Sequence, residues 1–104
     1  MSMKADWYVL PGEFVAASGT VTRGGSSREI RVLQNRIIMA NDGYSLVEVY
    51  SMKNITNVIL RWSDGVWRIS LYFSDGSGST NVDLGLGTNW DWAHQLFYHI
   101  QCRL

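Results

Sequence analysis

Ile55-Thr56-Asn57-Val58-Ile59-Leu60-Arg61-Trp62-Ser63-Asp64-Gly65-Val66-Trp67-Arg68-Ile69-Ser70-Leu71-Tyr72-Phe73 is the stretch that decides the fold class. In its second half Trp67, Ile69, Leu71 and Phe73 alternate with Arg68, Ser70 and Tyr72, the period of a strand buried on one face. Its first half, Ile55 to Trp62, is rich in β-branched and aromatic residues. Between the halves sits Asp64-Gly65, the dipeptide expected where a tight hairpin turn requires positive φ. The spacing predicts a β-hairpin.

Similar punctuation marks further strands on both sides. Upstream, Glu13 to Thr22, interrupted by Gly19, ends at a loop Arg23-Gly24-Gly25-Ser26-Ser27. Arg28 to Leu33 turns at Gln34-Asn35 into Arg36 to Ala40, and Asn41-Asp42-Gly43 leads into Tyr44 to Tyr50. Downstream, Ser74-Asp75-Gly76-Ser77-Gly78 reads as a turn by composition, and Thr80 to Leu86 places Val82, Leu84 and Leu86 on one face. About seven antiparallel strands between about 13 and 86 predict an open barrel or sandwich. The tail changes period. From about 88 to 102, Trp92, Leu96 and Ile100 recur every four residues with Ala93 and Phe97 beside them, one apolar helical stripe that should be buried. Gln95, His99 and Arg103 lie away from it, and Thr88 with Asp91 predicts a capping box. No repeat or linker divides residues 1–104, so a mainly β single domain closed by one C-terminal helix is expected.

Bulk properties exclude several classes. A 104-residue chain that is 46% hydrophobic with zero formal charge is not intrinsically disordered, and it lacks the basic excess of a nucleic-acid binder. One cysteine, Cys102, excludes an intramolecular disulfide framework. Apolar runs such as Trp7 to Leu10 and Ile37 to Ala40 fall far short of the ~20 residues of a membrane span. Met1 to Asp6 carries no apolar segment of signal-peptide length, so a cytoplasmic location is expected and the Asn54-Ile55-Thr56 sequon reads as chance.

Met52-Lys53-Asn54-Ile55-Thr56-Asn57-Val58 looks like the segment leading into a mid-sheet strand of pleckstrin-homology-like domains. Trp92 with Leu96 and Ile100 is similar to the helix of that superfamily, where a Trp packs over the open barrel end. With seven strands before one helix, the chain resembles the superfamily, and more closely its small bacterial members. The resemblance implies a partly open barrel capped by the helix. Phosphoinositide-binding members place spaced basic residues around the first hairpin. Here Arg23, Arg28 and Arg31 occupy that region, but Glu29 interrupts them, and zero net charge offers an anionic membrane little attraction. Membrane lipid is therefore disfavoured as a partner, and fold alone does not assign function.

No cofactor or metal motif emerges. His94 and His99 lie about 140° apart on a helix and cannot share an ion, and no zinc spacing surrounds Cys102. Asp75 to Asn81 starts like a calcium loop, but Thr80 stands where glycine is required and Leu86 where a bidentate Glu should be. Gly85-Leu86-Gly87 lacks the third glycine and the βαβ context of a dinucleotide site, and Gly87 instead suits a sharp exit from the last strand. Serines cluster in turn sequences without a G-x-S-x-G, so no catalytic residue is assigned.

Two residue sets remain as candidate binding groups. Arg23, Arg28 and Arg31 suit a carboxylate or phosphate; the plainer reading pairs them across strands with Glu29 or Glu13. The five tryptophans exceed what one small core needs. Trp67 and Trp92 have inward-facing patterns. Trp62 at the hairpin tip, Trp90 at the helix entry and Trp7 before Pro11 are interface candidates if exposed, joined by Tyr72 and Tyr50 if these face outward. Few lysines guard the sheet edges, which leaves homodimerisation through an edge strand open. The expected function is a small non-enzymatic protein-interaction module, compatible with an inhibitor or immunity-type protein. The alternatives are an anionic lipid or small ligand at the arginine-bearing first hairpin, and an enzyme whose site is not visible in sequence.

Overall fold

A computed structural model describes residues 9–41, 46–74 and 78–104. Trp7, the Asp42-Gly43 turn with Tyr44, and the Asp75-Gly76-Ser77 segment lie outside the described residues. The strands are β1 (Val15–Arg23), β2 (Ser26–Leu33), β3 (Arg36–Asn41), β4 (Val47–Ser51), β5 (Ile55–Ser63), β6 (Val66–Ser74) and β7 (Ser79–Gly85), and the helix α1 spans Trp90–Gln101. A short 3-10 turn, Met52–Asn54, joins β4 to β5.

The decisive hairpin forms as its sequence predicts. Asp64 and Gly65 both have positive φ, 54° and 78°, the backbone of a two-residue turn whose twist matches the flanking strands. Trp62 then pairs with Trp67, Leu60 with Ile69 and Val58 with Leu71. The first hairpin is tighter than its glycine-serine composition suggests. Gly24 and Gly25, φ 58° and 82°, make the whole turn, so Ser26 and Ser27 pair with Arg23 and Thr22 as strand residues.

All strands join one antiparallel sheet in the order β4-β3-β2-β1-β7-β6-β5. The sheet is open, with β4 and β5 as its two edges, and a single pairing of Thr22 with Gly85 links the halves. Its inner face buries Val21, Ile30, Ile37, Met39, Ile69, Leu71 and Leu84 against Ala93, Leu96 and Ile100 of the helix. The helical stripe is therefore buried as its period requires.

The cap and one strand differ from the sequence expectation. Asn89, not Thr88, is the N-cap: its side chain accepts from the Trp92 amide at 3.0 Å. Asn is among the strongest cap residues, and Gly87, φ 63°, has already turned the chain by that point. In β4 the polar residues point inward. Glu48 and Tyr50 share the face of Ile37 and Met39, while Val49 is exposed and Val47 packs outside on Leu33, Ile38 and Ala40 with Val9. This outer cluster explains the unbroken apolar run of β3, which is buried on both faces.

An aromatic ladder as the candidate functional site

The inner face of the β5–β6 hairpin runs past the core, so Trp62 and Trp67 emerge at its tip beside the first turns of α1. Their rings meet edge-on at 5.2 Å between centroids. Trp67 meets His94 edge-on at 5.0 Å, and His94 stacks on Trp90 at 4.0 Å and 25°. Trp62, Trp67, His94 and Trp90 thus form a continuous ladder from the hairpin to the helix entry. The two edge-on contacts fall within the centroid range of favourable aromatic pairs, worth about 1 kcal/mol apiece beyond burial, and the stacked Trp90–His94 pair is closer still.

Local structure holds the rungs in place. Trp90 and His94 are four residues apart and so share one helix face. The Trp67 amide donates to Gly87 O at 2.8 Å and the Leu86 amide to Trp67 O at 2.9 Å, which tie β6 to the joint where the helix begins. His94 Nδ1 lies 2.9 Å from Trp90 O. A carbonyl only accepts, so Nδ1 carries hydrogen and Nε2 of the neutral ring is an acceptor. The ladder's ends remain in solvent: Trp62 is 54% and Trp90 58% exposed.

Trp92 serves a different purpose. Its Nε1 donates to Thr20 O at 2.9 Å, and its ring lies so close over Gly19 that a Cβ there would sit 2.5 Å from Cζ2. The inward reading of Trp92 holds, and it is the contact that seats the helix on β1.

The arginine set does not assemble a free cationic patch. Arg23 donates to Glu48, and Arg28 Nε lies 3.8 Å from the same carboxylate. Arg31 is only 4% exposed and donates to Ile30 O. The partner of the first two is thus Glu48, on a strand brought in by long-range pairing, rather than Glu29 or Glu13. Glu13 instead forms a bidentate pair with Arg36, whose hydrogen bonds hold the Glu13 carboxyl below its ordinary range. Tyr72 is half-buried on the opposite face of β6 from Trp67 and so stands apart from the ladder. Tyr50 faces inward against Phe73, with centroids 4.8 Å apart.

Glu48 also accepts from the Tyr50 hydroxyl. Burial first, then the hydrogen bond and charge of Glu48, push the Tyr50 phenol from 10.0 up to about 12. A raised folded value means stability that is fully present below the unfolded pKa and lost as pH rises through the folded one. Tyr50→Phe is accordingly expected to remove a phenolate absorbance step near pH 12 and to flatten the stability decline between pH 10 and that value. Glu48→Ala removes the acceptor of Arg23 and Tyr50 and the countercharge beside Arg28, and is expected to cost ~2 kcal/mol in urea denaturation, because it strands poorly solvated donors.

Other chemistry is sparse. Among the described residues no three His, Cys, Asp or Glu side chains are grouped to hold a metal ion, and no helix is long and apolar enough to cross a membrane. A cleft of ≈ 780 Å³ lies between the β2–β3 turn, the Met52–Asn54 turn and the end of α1, where Arg36, Lys53 and Arg103 line it. Ser51 supplies the one side-chain hydroxyl among the lining residues, and its oxygen accepts from the Lys53 amide. In comparison with known proteins, no protein-family model matches the chain and no curated protein is similar to it.

Proposed function

We propose that this protein is a small non-enzymatic protein-interaction module that binds its partner through Trp62, Trp67, His94 and Trp90. The observation that carries this reading is the four-ring ladder with both terminal tryptophans in solvent. Rigid aromatic surface of this kind supplies large contact area at low entropic cost, which is why Trp dominates binding hot spots. A pleckstrin-homology-like fold is part of the proposal, supported by the strand order and by the helix lying across the open sheet. So are a cytoplasmic location and an inhibitor or immunity-type role, in which one target is blocked by surface complementarity. Homodimerisation through β4 or β5, the sheet edges, is the accompanying proposal for self-association, and sedimentation at rising concentration tests it.

Anion binding at the first hairpin has less support, since Arg23 and Arg28 share Glu48 and Arg31 is buried. Affinity capture separates the two readings. Wild type, Trp62→Ala/Trp90→Ala and Arg23→Gln are used as bait in cytosol, and the bound proteins are quantified. The expected result is a partner lost by the tryptophan variant and retained by Arg23→Gln. The reverse pattern, together with salt-sensitive binding to anionic vesicles, would overturn the proposal in favour of the arginine site.

A further inference from the structure

The charges around the ladder narrow what it can bind. The two segments that carry its rings are the hairpin tip, residues 62–67, and the helix entry, residues 88–95. Their ionisable groups are Asp64, Asp91 and His94, with no Lys or Arg. Asp64 occupies the turn between Trp62 and Trp67, and Asp91 follows Trp90 in the first helical turn; both are exposed. The hairpin's own arginines are kept elsewhere. Arg61 and Arg68 pair across the opposite face, where Arg61 Nη2 lies 3.8 Å from Asp83. In a protein of zero net charge, the two segments that carry the ladder thus hold two carboxylates and His94, and no Lys or Arg.

Resting on the interaction reading above, we infer that the ladder takes an arginine side chain from a basic segment of the partner protein. Indole faces attract cations through their quadrupole, and a planar guanidinium stacks on them more effectively than a compact, strongly hydrated ammonium. Asp64 and Asp91 add charge complementarity at the hairpin and helix ends of the ladder. An acidic or apolar segment would leave those carboxylates unpaired or repelled.

The test is a titration of the full chain with three end-blocked peptides, identical except for arginine, lysine or neutral citrulline at alternate positions, monitored by tryptophan fluorescence. The arginine peptide is expected to give saturable quenching, with the lysine peptide roughly fivefold weaker and citrulline weaker still. Trp90→Ala should weaken the arginine peptide similarly, and Asp64→Asn/Asp91→Asn should weaken it about threefold at low salt. Asn suits positive φ at position 64 at least as well as Asp, and position 91 is exposed in the first helical turn; matching urea midpoints verify that the pair preserves the fold. Equal quenching by arginine and citrulline peptides, no binding of the arginine peptide, or indifference to the Asp pair overturns the arginine assignment. If that happens while a captured partner still depends on Trp62 and Trp90, the aromatic-surface reading stands alone. If the tryptophan changes affect neither, both fall.

Discussion

Gly19→Val is expected to destabilise the protein by roughly 3 kcal/mol, close to the loss on deleting a large aromatic side chain from a core. The reason is steric rather than conformational. Gly19 does not adopt positive φ, and valine is a favoured strand residue, so the backbone of β1 accepts the change. The obstacle is Trp92, whose Cζ2 and Cη2 would lie 2.5 and 2.7 Å from the new Cβ. Those are rigid ring atoms, so the indole must leave its place and release its hydrogen bond to Thr20 O. Leu96 and Ile100, on the same helical stripe, are then pulled from the inner sheet face. A double-mutant cycle with Trp92→Leu isolates the effect, because the smaller side chain should make Gly19→Val far less costly. A Gly19→Val protein within about 0.5 kcal/mol of wild type in urea denaturation would contradict the placement of the helix on β1.

The second large effect concerns binding. Trp62→Ala/Trp90→Ala is expected to weaken the complex with the captured partner by about 100-fold or more, since truncating one hot-spot tryptophan commonly costs 2 kcal/mol or more. Both side chains are more than half exposed, so the same change should cost folding stability little beyond the two ring contacts it removes, about 2 kcal/mol at most. Tyr72→Ala supplies the contrast. Tyr72 lies on the other face of β6, and its removal should leave affinity within about twofold of wild type. Calorimetry or surface plasmon resonance reads all three. Equal losses at Trp62, Trp90 and Tyr72 would mean that the partner does not land on the ladder.

The hairpin 55–73 is legible in sequence because its signals are local: alternation on both sides and a dipeptide with the right φ preference. The same holds for the helical stripe through Trp92, Leu96 and Ile100. Ser26 and Ser27 are harder, because serine beside glycine has turn chemistry, and only pairing with Arg23 and Thr22 makes them strand. In β4, alternation separates Glu48 and Tyr50 from Val47 and Val49 without saying which pair faces in. The outcome depends on an outer apolar cluster that includes Val9, nearly forty residues away in sequence. At the site, Trp62 and Trp90 stand out as aromatic residues at element ends. The Trp90–His94 contact is also implicit in four-residue spacing. The Trp67–His94 contact that joins hairpin to helix is not, because it depends on how the helix docks. His94 lacks metal-ligand spacing, so in sequence it reads as an ordinary surface histidine.

The central claim is that one face, built from the hairpin tip and the helix entry, receives the partner. Titrating partner into isotopically labelled protein and following the tryptophan indole N–H resonances by NMR tests this directly. The Trp62 and Trp90 signals are expected to shift progressively, while Trp92, whose N–H is held by Thr20 O on the β1 side, stays in place. A titration that moves Trp92 or the Arg23 side chain and leaves Trp62 and Trp90 unchanged would contradict it.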